Sequence, residues 1–158
     1  MNRINNILNN ELYQLYMEKI NYYEKDRIFC RHGIEHSLSV ARIMYIRAFE
    51  ENYKIQKDII YAVAFLHDIG RASQYENRMA HAKAGEKIAK KILCQCGYGN
   101  EEIELISAAI SSHNDTLETN FLSVLLQYAD KISRNCFFCS AYQACNWPES
   151  KKNKGVIV

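Results

Sequence analysis

Leu66-His67-Asp68-Ile69-Gly70 closes a run, Ile59 to Leu66, that is apolar at nearly every position. Ile59, Ile60, Ala62, Val63, Ala64, Phe65 and Leu66 leave a helix there no broad polar face, so the helix is expected in the core. A histidine and an aspartate then stand side by side where it stops. A buried carboxylate is costly without a positive partner. Neutral imidazole beside carboxylate is also a sensible pair of metal ligands.

The rest of the chain reads as helices around this one. Ile4, Ile7, Leu8, Leu12 and Leu15 recur at three- and four-residue spacing, which predicts a first helix. Further helices are predicted from Ile34 to Glu51, Ile55 to Ile69, Met79 to Cys96, Glu101 to Ser112 and Asn120 to Arg134. Gly70 is read as a C-terminal stop, and Ala72 to Arg78 as a polar loop. The β-branched residues fall at helical spacing, so no strand is expected. The fold class is therefore all-α, a compact single-domain bundle of about six helices over residues 1–134. Residues 135–158 form a cysteine-containing tail, packed on the bundle or appended to it.

Bulk composition narrows the class. The 158 residues suit one domain with a real core. A net charge of +2 gives no argument for nucleic acid. Met1-Asn2-Arg3-Ile4-Asn5-Asn6 lacks the apolar run of a signal peptide, and no stretch is apolar for long enough to span a membrane. A soluble, cytoplasmic protein with no membrane partner is expected, and a homo-oligomer stays open. The six cysteines then read as reduced thiols or metal ligands rather than disulfides.

Four of the five histidines fall on, or at the end of, helices that should pack together. His36 begins one, His67 with Asp68 ends the next, His81 begins another and His113 ends a fifth. Asp130 sits in the last, beside Ala129. Each alone has an ordinary reading: a solvated histidine, an i,i+4 pair of Asp130 with Arg134, or a histidine favoured by a helix C-terminus. Six such placements in a short chain make the ordinary reading weak for the set. His32 could pair with His36 or simply be exposed.

The order His36, His67-Asp68, Asp130 resembles the HD superfamily of metal-dependent phosphohydrolases. Glu35-His36-Ser37 with Val40-Ala41, Leu66 to Arg71, and Ala129-Asp130-Lys131 carry the resemblance, which extends over about Arg31 to Arg134. It implies one metal held by His36, His67, Asp68 and Asp130. His81 and His113 resemble the extra ligands of the two-metal branch, with Asp68 as the bridge. Mixed imidazole and carboxylate ligands suit iron, manganese, zinc or nickel. Two such ions can activate a water and orient a phosphate without a protein nucleophile.

Arg71 stands where members of the family with this pattern often carry a phosphate-contacting lysine. An arginine keeps the charge and adds a bidentate fork; an exposed residue at a helix end is the alternative. Lys131 and Arg134 are the next cations for a substrate phosphate, or solvated charges. Asp115 could orient a ligand or cap a turn. The implied function is hydrolysis of a small phosphate ester or nucleotide by a metal-activated hydroxide, with Asp68 and Arg71 in catalytic roles. A di-iron oxygenase of the same superfamily and a nucleotide- or redox-sensing module are the alternatives. Substrate choice is expected from the loops Ala72 to Met79 and Asp115 to Thr119.

Cys136-Phe137-Phe138-Cys139, followed by Cys145, could hold an additional zinc ion or iron–sulfur cluster if a fourth ligand came from elsewhere. Buried small apolar residues are the plainer reading. Tyr22, Tyr23, Tyr75 and Tyr142 could stack on a base, but no site is assigned to them.

Overall fold

Helix α4 (Lys57–Leu66) is the centre of the structure, and every residue from Ile59 to Leu66 except Tyr61 is buried. A computed structural model describes residues 2–112 and 120–157. Around α4 stand α1 (Asn2–Leu8), α3 (Ile34–Glu50), α7 (Asn100–Ser112) and α8 (Phe121–Ile132). Helix α2 (Glu11–Tyr23) reaches α5 (Arg71–Asn77), which packs in turn on α6 (His81–Gln95), and α6 lies along α7. Two short 3₁₀ turns, Cys136–Phe138 and Glu149–Lys151, follow. The described residues contain no strand, and the all-α class holds.

The described residues hold eight α-helices where about six were expected. The first predicted helix is two. Asn10 leaves helical geometry and caps α2, its side chain accepting from the N–H groups of Leu12 at 3.0 Å and Tyr13 at 3.2 Å. Asparagine competes for backbone bonds in this way, which is why it breaks a periodic apolar pattern. The expected loop Ala72 to Arg78 is mostly helix α5. That helix has seven residues and little apolar pattern, and packing against α2 and α6 holds it rather than its own periodicity.

Gly70 is not a left-handed stop. Its φ is −74° and it precedes α5 directly. What requires glycine is proximity: a Cβ at position 70 would lie 2.0 Å from the carbonyl oxygen of His81 and 2.4 Å from the nitrogen of Gly85. The conformational role belongs to Gly97, whose φ of +81° turns the chain after α6.

One core joins these helices. Ile7, Met44, Ile60, Leu66, Ile92, Ile106 and Leu126 are among its fully buried members. No helix of the described residues is long and apolar enough to cross a membrane.

Candidate metal centre

The central helix ends at the site. His67 is the C-cap of α4 and wholly buried, and Asp68 follows at 4% exposure. His36 projects from the first turn of α3 and Asp130 from the last turn of α8. One ligand atom from each of these four residues lies within 4.8 Å of all the others. His36 Nε2 is 3.0 Å from Asp130 Oδ1 and 3.6 Å from Asp68 Oδ2. His67 Nε2 is 3.0 Å from Asp68 Oδ2 and 3.9 Å from Asp130 Oδ1.

The donor set fits a metal cation. The Nδ1 of His67 lies 2.7 Å from the Ala64 carbonyl oxygen, one turn back in α4. That oxygen only accepts, so Nδ1 carries a proton and Nε2 is the nitrogen that faces the carboxylates, the orientation a metal-binding histidine needs. Burial alone would lower the proton affinity of His67; the Asp68 charge and hydrogen bond, with Asp130, outweigh it and raise it. Burial likewise opposes ionisation of Asp68, but His67, His36 and Arg71 hold its carboxyl well below the usual range. Asp130 is depressed in the same sense, by His36, His67 and Arg134 against its own desolvation. Two ionised carboxylates and two imidazoles converge on one point and could hold a divalent ion there.

Two arginines flank the carboxylates. Arg71, the first residue of α5, donates from Nε to Asp68 Oδ1 at 2.6 Å. Arg134 donates to Asp130 Oδ1 at 2.8 Å and reaches within 3.5 Å of His36 Nε2. The Nε of Arg134 is buried and has no hydrogen-bond partner among the described residues.

A cleft of about 910 Å³ opens above His36 and Asp130, with Arg71 and Arg134 in its lining. Of the loops expected from the sequence, Ala72 to Met79 do not line it, and Asp115 to Thr119 lie outside the described residues. Among the described residues, its remaining walls come from residues 27–32 between α2 and α3, from Glu35 and Ser39 of α3, and from the tail beyond α8. Lys131 is turned away from this cleft and lines a surface depression with Ile132 and Glu149. Adjacent residues on a helix point about 100° apart, so Asp130 and Lys131 cannot serve the same face.

His81 heads α6 and sets its backbone carbonyl against Gly70, but it is not one of the four converging residues. His113, Asp115 and the segment through Thr119 lie outside the described residues. Cys136, Cys139 and Cys145 do not converge into a metal-ligand group among the described residues. Cys136 is buried under its 3₁₀ turn while the other two are half-exposed, and all six thiols are free.

His32 is buried rather than exposed. Glu24, itself 3% exposed, takes the His32 backbone N–H on one oxygen at 2.7 Å and the ring Nδ1 on the other at 2.5 Å. The Tyr75 hydroxyl donates to the same carboxylate. The His32 ring then meets the His36 ring edge-on at 5.8 Å. A carboxylate eight residues before a histidine, in a loop, leaves no periodic trace; only the fold brings Glu24, His32 and Tyr75 together.

Residues 33–135 match the family described as HD domain. The chain belongs to this family. An uncharacterized protein of Clostridium beijerinckii is 43% identical over 97% of both chains. Ribonuclease Y of Acetivibrio thermocellus is 34% identical across 63% of this chain. The match spans only 17% of that protein's length. A solved structure described as a predicted HD superfamily hydrolase, from an uncultured Thermotogales bacterium, aligns with a TM-score of 0.67. It is 23% identical and covers 90% of this chain and 79% of its own, which makes the HD fold common to both.

Proposed function

We propose that this HD domain is a metal-dependent phosphohydrolase acting on a small phosphate ester or nucleotide. The observation that carries the reading is the convergence of His36, His67, Asp68 and Asp130 between two arginines, with His36 and Asp130 lining a cleft. A divalent ion held by these four residues would supply an activated water and positive charge for a phosphoryl group.

The chain's own part is positional and electrostatic. Asp68 is bound by His67 on one side and by Arg71 on the other, so its orientation is held from both directions. Arg71 commits its Nε to Asp68. The outer edge of the guanidinium keeps further N–H groups for phosphoryl oxygens, in the fork geometry that suits them. Arg134 donates from Nη2 to Asp130 and is desolvated, which strengthens its pull on an anion. Cations positioned where charge develops lower the barrier to displacement at phosphorus. The ribonuclease Y relatives, by their name, add a phosphodiester to the candidate substrates.

The test is phosphate or alcohol release from a panel of phosphomonoesters and phosphodiesters, by protein loaded with manganese or iron, under anaerobic conditions. Release is expected from wild type and not from Asp68→Asn. Oxygen uptake by the iron-loaded protein, with no phosphoester turned over, would replace this reading with the oxygenase.

A further inference from the structure

The tail beyond the family match is not a loose end. Asn153 is 5% exposed and donates to three carbonyls at the C-terminus of α8: Lys131 at 2.9 Å, Ile132 at 3.3 Å and Arg134 at 2.7 Å. Lys152 pairs with Glu149 at 2.8 Å and lies over the Tyr142 ring, and the Tyr142 hydroxyl donates to Glu149 at 2.6 Å. These bonds close the tail on itself and dock it to the bundle. Tyr142 and Lys152 also line the cleft, so this closure holds its wall in place. Phe138 lines the cleft and is 89% exposed, and Trp147 lines it half-buried. Phe29, from the loop between α2 and α3, lines the same cleft and is also exposed.

The cleft is thus divided by chemistry. Its floor bears the ligands His36 and Asp130 with Arg71 and Arg134, and its rim sets aromatic rings among polar and basic residues that include Arg27, Arg31 and Lys152. Arg134 joins the two, bound to Asp130 at one end and lying 5.8 Å from the centre of the Trp147 ring at the other. Exposed aromatic rings held in a preorganised wall are costly in water and stack readily on a flat π-system. A ligand that satisfies both regions carries an anionic group at one end and a planar ring at the other.

We propose that residues 136–147 form a ring-recognition wall, with Phe138 and Trp147 as its stacking surfaces, and that the substrate is a nucleoside phosphate. This rests on the phosphohydrolase reading for the chemistry at the floor, but not for the binding itself. Trp147 is the single tryptophan of the chain, so it reports on its own wall.

The test titrates metal-loaded protein with adenosine 5′-monophosphate and, separately, with ribose 5-phosphate, reading Trp147 fluorescence and following hydrolysis of both. Saturable quenching by the nucleotide is expected, with at least about tenfold weaker binding of the ringless phosphate. Phe138→Ala is expected to shrink that preference to near unity. Phe137→Ala, whose ring does not line the cleft, is expected to keep it. Equal binding of the two phosphates, or a preference untouched by Phe138→Ala, overturns the inference. So does a concentration-dependent dimer that Phe138→Ala dissolves while nucleotide leaves the fluorescence unchanged. Nucleotide binding with the expected preference but no hydrolysis of any phosphoester overturns the phosphohydrolase reading instead and leaves the wall standing.

Discussion

At His67 the two ring nitrogens do separate work: one is tied to the backbone of α4 and the other faces the carboxylates. Removing the ring takes one buried ligand nitrogen from the group that Asp68 and Asp130 complete. His67→Ala is therefore expected to lose nearly all bound metal, measured by elemental analysis of the purified protein. His81→Ala separates the one-ion from the two-ion arrangement. With two ions it should lose about one equivalent; full retention would mean that the site takes a single ion. Glu24 offers a pH prediction. Its burial opposes ionisation, but hydrogen bonds from His32 and Tyr75 prevail and lower its carboxyl from the ordinary 4.5 to about 2. A depressed carboxyl contributes stability that is complete above the unfolded value and is lost as pH falls through the folded one. Stability should therefore drop between pH 4.5 and about 2. In Glu24→Gln that part of the urea-midpoint profile should flatten. Of these residues, His36, His67, Asp68 and Asp130 were legible as a set because each lies near a helix end or on a largely apolar helix and their order resembles the HD pattern. His32 was not legible, because its partner Glu24 lies in another part of the same loop and only burial reveals the need for it.

At the scale of elements, α5 and α6 approach each other across Gly70 and Gly85. No side chain fits between Gly70 and the His81 carbonyl without moving backbone. Gly70→Ala is expected to cost about 3 kcal/mol or more, read as a fall in the denaturant midpoint, because the clash is with main chain. It should also disturb the site, since Gly70 lies two residues from Asp68. The glycine was visible in the sequence but its reason was not: a stop signal and a close approach look alike in one dimension. The division between α1 and α2 is a milder case. Asn10→Ala removes a side-chain cap and should cost about 1 kcal/mol, measurable by thermal unfolding with the metal centre intact. Helix α5 was missed because seven mostly polar residues, with Ala72 alone buried, carry too little periodicity to announce a helix whose stability comes from its neighbours.

At the scale of the whole molecule, the tail turns an open helix end into a walled cleft. Its anchor is one buried amide spanning three carbonyls at and just beyond the end of α8, so Asn153→Ala leaves those acceptors with one partner fewer. The expected cost is about 1–3 kcal/mol, with bound metal retained, because the four converging residues lie outside the tail. Calorimetry and metal analysis on the same sample check both halves. A parallel loss of metal would show instead that the tail helps to hold the centre. By itself the sequence determined the helical class, the burial of α4 and the four residues that meet at its end. The class and the burial follow from local periodicity, whereas the four residues follow from the resemblance of their order to the HD pattern. Only the tertiary structure decided that Gly70 is a contact, that His32 is buried on Glu24, that Lys131 faces away and that the tail lines the cleft. The reason is physical: periodicity records which face of an element is buried, whereas a cleft is made by distant segments whose meeting leaves no local pattern in any of them.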